Sequence, residues 1–201
     1  VDYATAYGTA VSTSDYSTSS GALNFAIGDT LKNISVAING DKMFEPNENY
    51  FINLTNPVRG QIVDALAEGT LTNDDQQPTI SINDVSIAEG DTGSTIALFT
   101  VKLSNPSYLN INVDYATVDV SAIAGSDYTA NTGTISFTVG DTLKTIAVTI
   151  SADRLYENDD LFSLNLSNPT NSTISDNTAL CYILNDDNYP KLKINDVSMN
   201  E

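Results

Sequence analysis

The chain repeats itself. Shifting it by 112 positions lays residues 1–89 over 113–201 without a gap, so that VDYAT at 1–5 returns at 113–117. Ser14-Asp15-Tyr16 returns as Ser126-Asp127-Tyr128, GDTLK at 28–32 returns at 140–144, and INDVS at 82–86 returns at 194–198. Self-similarity at a fixed period means that each repeat is one folding unit and that the chain is a stretch of an array. The spacing predicts three pieces. Residues 1–75 are a repeat without its beginning, 78–187 are a complete repeat, and 190–201 are the first strand of a further one. The chain opens in mid-pattern with no initiator Met, which marks it as an expected piece of a longer polypeptide.

Within the complete repeat, short alternating runs rich in Thr, Val and Ile are bounded by Gly, Asn, Asp and Pro, the signature of strands. They fall near 79–85, 95–103, 111–118, 133–139, 144–151, 160–167 and 179–185 and are lettered A to G in that order. No segment carries sustained helical periodicity. Seven strands in about 110 residues predict an all-β chain of tandem seven-stranded immunoglobulin-like sandwiches. Cys181, the single cysteine, alternates with apolar neighbours in strand G and is expected to be a small buried hydrophobe.

Composition then excludes chemistry. The absence of His removes Ser–His–Asp and Cys–His catalysis as well as His-containing zinc and haem sites. One Cys gives no internal disulfide and no thiolate metal cluster. With 26 Asp and Glu against 8 Lys and Arg, the formal charge is −18. Nucleic acid, which is held chiefly through Lys and Arg on phosphate, is not an expected partner. No apolar run is long enough to span a bilayer, so no direct membrane insertion is expected. An acid pair such as Glu157 and Asp160 lacks the aromatic sugar platform of a glycosidase, and the chain is not expected to be an enzyme.

Strand parity gives the charge a location. If each strand reverses the last, strands A, C, E and G end at one pole of the sandwich. Of the 14 acids in 78–187, ten follow those strands or open the next element: Glu89, Asp91, Asp119, Asp127, Asp153, Glu157, Asp159, Asp160, Asp186 and Asp187. Two carboxylates about 5 Å apart repel by roughly 3 kcal/mol at an effective dielectric of 20. Such a pole needs cations or protons. All its donors are hard oxygens, which favours Ca²⁺ over zinc or copper, with Mg²⁺ second because of its stricter octahedron. A solvated acidic surface is the plain alternative.

The ordered motifs DYAT, GSDYT, GDT-K-I-V-I, D-x3-E, LSNP and NDD resemble the Calx-β domain family, and the resemblance covers essentially the whole chain. That resemblance implies a sandwich binding Ca²⁺ at one pole, with ligands matching Glu89, Asp127, Asp153, the Leu155 carbonyl, Glu157, Asp160, Asn185, Asp186 and Asp187. In the first repeat the matches are Asp15, Asp41, the Met43 carbonyl, Glu45, Glu48, Asn73, Asp74 and Asp75. Where calcium-sensing members double the Asp closing strand E, this chain has Gly40 before Asp41 and Ala152 before Asp153, so one or two ions per pole are expected.

The function this implies is a Ca²⁺-binding structural or adhesive array of a large extracellular, cell-surface protein, with a bacterial source as the guess. Its expected partners are neighbouring repeats, with other copies or cell-surface and matrix ligands beyond them. Metal would stiffen the joints, because only two residues separate each NDD from Pro78 or Pro190. A regulatory Ca²⁺ sensor is the runner-up. Further alternatives are a cadherin-like linker at NDDNYP and a filament in which the spare first strand is exchanged between chains.

Overall fold

The computed structural model describes all 201 residues and contains strands and no helices. Two compact units, Val1–Gln76 and Gln77–Glu201, are separable by their internal contacts.

The second unit contains nine strands: β5 Thr79–Ile82, β6 Val85–Ala88, β7 Gly93–Leu103, β8 Ile111–Asp119, β9 Thr132–Phe137, β10 Leu143–Ala152, β11 Asp160–Ser167, β12 Thr173–Ile174 and β13 Thr178–Leu184. One sheet has the order β10-β7-β5-β12 and the other β6-β13-β11-β8-β9. Their inner faces meet on alternate residues, as the strand period requires. Ala97, Phe99, Val101 and Leu103 of β7 face Val113, Phe162, Leu164, Ala179, Cys181 and Ile183 in one fully buried cluster. Phe162 is its centre, stacked on Tyr128 at 4.1 Å and edge-on to Phe99 at 6.1 Å. Cys181 is wholly buried, and that burial pushes its thiol up to about 11.

Strand A, expected as one run over 79–85, is two strands in two sheets. β5 pairs antiparallel with β7, whereas β6 pairs parallel with β13. The change of sheet falls at Asn83 and Asp84, whose side chains do backbone work. The Asn83 carbonyl oxygen accepts from the Thr100 amide of β7 at 2.8 Å, and the Asp84 carboxylate accepts from the Leu180 amide of β13 at 2.8 Å. Side-chain bonds of this kind compete with a regular ladder and end it. A short extra strand, β12, also pairs parallel with β5.

The parity holds through these changes. β8 and β13 are both antiparallel to β11, β10 is antiparallel to β7, and β7 is antiparallel to β5. With β6 parallel to β13, strands A, C, E and G all run toward one pole.

The first unit is a single four-stranded sheet of β1 Asp2–Tyr7, β2 Ser20–Ala22, β3 Glu48–Thr55 and β4 Leu66–Leu71, in the order β2-β1-β3-β4. Shifted by 112 positions, these are β9-β8-β11-β13 of the second unit. Residues 31–38, equivalent to most of β10, form only the isolated bridge Ile38–Tyr16. Every residue of β10 is paired with β7, and a strand without such a ladder has nothing to fix it. Ala10 and Tyr16 are the unit's buried hydrophobic residues. Residues 190–201, expected as a strand, likewise form none and pair with nothing.

Candidate metal site

Acids at the two poles behave oppositely. At the pole where strands D and E join, the carboxylate of the D–E turn has its own cation in each repeat. Lys144 sits 2.7 Å from Asp141, and Lys32 sits 2.6 Å from the equivalent Asp29. Lys144 holds Asp141 down to about 2, and Lys32 likewise lowers Asp29. At the other pole Glu45, Glu48, Glu89, Glu157 and Asp187 are driven upward.

Glu89 is the centre of this effect in the second unit. It follows β6 and is only 7 % exposed, and its Oε1 has no hydrogen-bond partner. Burial, then the charges of Glu157, Asp153, Asp187 and Asp186, raise its carboxyl to about 7. Its position is fixed by its own backbone, since the Glu89 amide donates to Leu184 and its carbonyl accepts from the Thr95 hydroxyl. A second orphan lies beside it, the buried Oδ2 of Asp187, whose carboxyl is raised by burial and then by Asp91, Asp186 and Asp153. Glu157 is raised by burial and by Asp153, Asp127, Asp160 and Asp187. Buried polar atoms without partners are rare and costly, and two orphaned carboxylate oxygens in one acidic cluster form a donor set that suits a cation.

The loops are braced to present these groups. Asp127 accepts from the Ile123 amide at 2.7 Å in the GSDY turn, and Asp153 accepts from the Leu155 amide at 2.6 Å. The latter Asx turn folds the chain after strand E back over the pole. Asp186 accepts from the Gly90 amide at 3.1 Å.

Asn185 is placed differently from its neighbours. Its Oδ1 accepts from the Glu157 amide, its Nδ2 donates to the Asp187 carbonyl, and its own amide donates to Asp159. Asn73 repeats the arrangement with Glu45, Asp75 and Asn47. In both units the Asn of the closing triplet is engaged in holding two loops together, which accounts for Asn there in place of Asp.

The first unit brings its expected residues into one depression, lined by Asp15, Asp41, Met43, Glu45, Glu48, Asn73, Asp74 and Asp75. Oxygens of Asp15, Glu45 and Glu48 lie within 4.8 Å of one another, close enough to share an ion. Burial and the neighbouring Asp15 push Glu48 up to about 7. The second unit's counterpart trio is Asp127, Glu157 and Asp160, one methylene shorter at the last position.

Three features at the pole were not among the expected ligands. Asp91 acts on Asp187 by charge, and Arg154 lies 3.9 Å from Asp91 and opposes the rise at Asp187. Tyr156 and Tyr189 stack at 3.9 Å with their hydroxyls hydrogen-bonded, tying the segment after the NDD triplet to the loop after strand E. The +1 neighbour of the strand-E Asp is basic in both repeats, Lys42 and Arg154, and that recurrence was the available signal.

The Calx-beta domain profile matches residues 1–76 and 73–187. Sodium/calcium exchanger 2 of Mus musculus is 30% identical over 187 residues, covering 84% of this chain and 20% of that protein. Sodium/calcium exchanger 1 of Bos taurus is 30% identical over 199 residues, covering 90% of this chain and 20% of that protein. The chain thus spans about a fifth of the length of these curated relatives. Among solved structures, the apo-form Calx CBD1 domain has a TM-score of 0.48 at 22% identity, over 56% of this chain and 100% of that one. CBD12 from CALX1.2 has a TM-score of 0.44 at 20% identity, over 90% of this chain and 85% of that one.

Proposed function

The chain belongs to the Calx-beta domain family, and from that premise we propose that it is a tandem Ca²⁺-binding module whose ions occupy the acid-rich pole of each unit. The observation that carries this is Glu89, whose buried and unpartnered Oε1 is aimed into a cluster of like charges. A divalent ion with flexible oxygen coordination would relieve both the missing partner and the repulsion. In the second unit Glu89, Asp127, Asp153, Glu157, Asp160, Asp186 and Asp187 would hold it, with the Leu155 carbonyl. In the first unit Asp15, Asp41, Glu45, Glu48, Asp74 and Asp75 would do so, with the Met43 carbonyl. Asn73 and Asn185 would brace the loops from outside.

The leading role is structural: Ca²⁺ neutralises each pole and stabilises the folded repeat within a larger array. A single Asp closing strand E in each repeat supports ions that are few and weakly held, as suits structure. An extracellular, adhesive and bacterial setting for that array rests on composition and repetition alone. A regulatory reading has its own support in the sodium/calcium exchangers, which are 30% identical over 84% and 90% of this chain. Affinity separates the two, since millimolar binding suits a structural ion and submicromolar binding a sensor.

The test is calorimetric titration of the full chain with Ca²⁺, alongside melting with Ca²⁺ and with chelator. An ion binding only the folded state adds about 2.7 kcal/mol at a hundredfold excess over its dissociation constant. Absence of both heat and melting shift would sink the proposal.

A further inference from the structure

Asn39 and Gly40 are the one Asn-Gly pair in the chain. Their counterparts, Ser151 and Ala152, close β10 and are held by pairing with Ser94 and Gly93 of β7. In the first unit this position lies outside any strand, and both residues are exposed. The Gly40 amide makes no hydrogen bond, and a Cβ there would have nothing within 4 Å. The Asn39 side chain stays beside the main chain, with Nδ2 donating to the Thr13 carbonyl at 3.2 Å while its backbone amide donates to Asp15 at 2.9 Å.

We propose that Asn39 is a self-modification site at the rim of the first unit's acidic pole. The Gly40 backbone nitrogen attacks the Asn39 side-chain carbonyl carbon, forming the C–N bond of a five-membered imide. The bond from that carbon to Nδ2 breaks, and ammonia leaves with the proton that Gly40 gives up. Water then opens the ring at either of its two C–N bonds, yielding aspartate or isoaspartate. Only water is consumed and only ammonia released. The free amide, the missing side chain at Gly40 and the lack of a strand ladder remove the usual obstacles to this ring closure. The second unit has neither the Asn nor the Gly.

Two structural effects follow. The new carboxylate replaces the only side-chain donor to Thr13, a residue held at φ 89°, and sets oxygen against oxygen there. The isoaspartate form also adds a methylene to the main chain between the Ile38–Tyr16 bridge and Asp41, shifting the register of that acid. The chemistry stands by itself, whereas its effect on ion binding rests on the Ca²⁺ reading above.

The experiment incubates the full chain in mildly alkaline buffer at body temperature and digests it with trypsin. Cleavage after Lys32 and Lys42 isolates residues 33–42 for mass spectrometry and isoaspartyl assay. Conversion of Asn39 faster than any other Asn, slowed severalfold in Gly40→Ala, is expected. An intact amide over a time in which the free 33–42 peptide converts would overturn the proposal, as would conversion at Asn33 in its place. Calcium titration of Asn39→Asp then reads the coupling, with altered affinity in the first unit expected and unchanged affinity removing that part. A wild-type chain that converts but binds no Ca²⁺ would refute the ion assignment and leave the modification standing.

Discussion

Thr13 and Gly125 hold the same place in the two repeats, and both adopt left-handed backbone, with φ of 89° and 97°. Glycine takes this conformation freely, whereas a β-branched residue is strained there by about 1–3 kcal/mol. Thr13→Gly is therefore expected to stabilise the first unit by about 1 kcal/mol, and Gly125→Thr to destabilise the second by about 1–3 kcal/mol. Native-state hydrogen exchange at the Thr13 and Gly125 amides, both bonded to the carbonyl three residues on, reads each unit separately. No change in the first unit would show that its turn has relaxed around threonine.

Glu89→Gln keeps the shape and removes the charge. Without metal, the variant should be more stable than the parent above pH 7 by about 1–3 kcal/mol, the upper figure following from about 1.4 kcal/mol per unit of raised pKa. With Ca²⁺, its second unit should lose most of the ion-dependent gain in melting temperature. Equal Ca²⁺ response in variant and parent would remove Glu89 from the coordination.

Metal-free stability should depend on pH in a defined sense. Glu89 and Glu48 are raised to about 7 in the folded chain from an ordinary value of 4.5. A raised folded value means that the folded state binds the proton more tightly. The contribution is fully present below 4.5 and is lost as pH rises through about 7. Denaturation in chelator at a series of pH values should show stability falling across that window, and saturating Ca²⁺ should flatten the fall. A flat chelator profile would contradict the charge crowding.

Asn185→Ala should cost about 1–3 kcal/mol, because it leaves the Glu157 amide and the Asp187 carbonyl without their partners. Asn73→Ala should do the same to Glu45 and Asp75. Asn185→Asp keeps the acceptor and loses the donor, so it should fall between parent and Ala in a urea titration. An Asp variant that is more stable than Asn in Ca²⁺ would mean that this position can be turned toward the ion.

The strands and the side of the sandwich that gathers charge were legible in the sequence. Alternation fixes which residues of β7 and β13 face inward, and an odd or even count of reversals fixes the pole. Strand D (β9) pairs antiparallel with strand C (β8), in keeping with that count. The break in strand A left a mark in TISINDV, where the apolar positions shift from Ile80 and Ile82 to Val85 across the polar pair Asn83-Asp84, but only the pairing partners reveal that Asn83 and Asp84 each serve a different sheet. The bracing role of Asn185 was hidden for a related reason. A polar residue among acids looks like one more ligand until the amide it satisfies is known. The missing strand at 31–38 followed from pairing as well, since its sequence is as strand-like as that of β10.

The divided first strand also sets how the second unit carries load. β6, near its start, and β13, near its end, lie side by side in parallel across four paired positions. Tension applied through the chain from both ends would try to slide these strands past each other. All their cross-strand bonds would then resist together, in shear, instead of opening one at a time like a zipper. Glu89 stands at the end of this patch with its amide bonded to Leu184, so an ion held there would pin the contact at its acidic end.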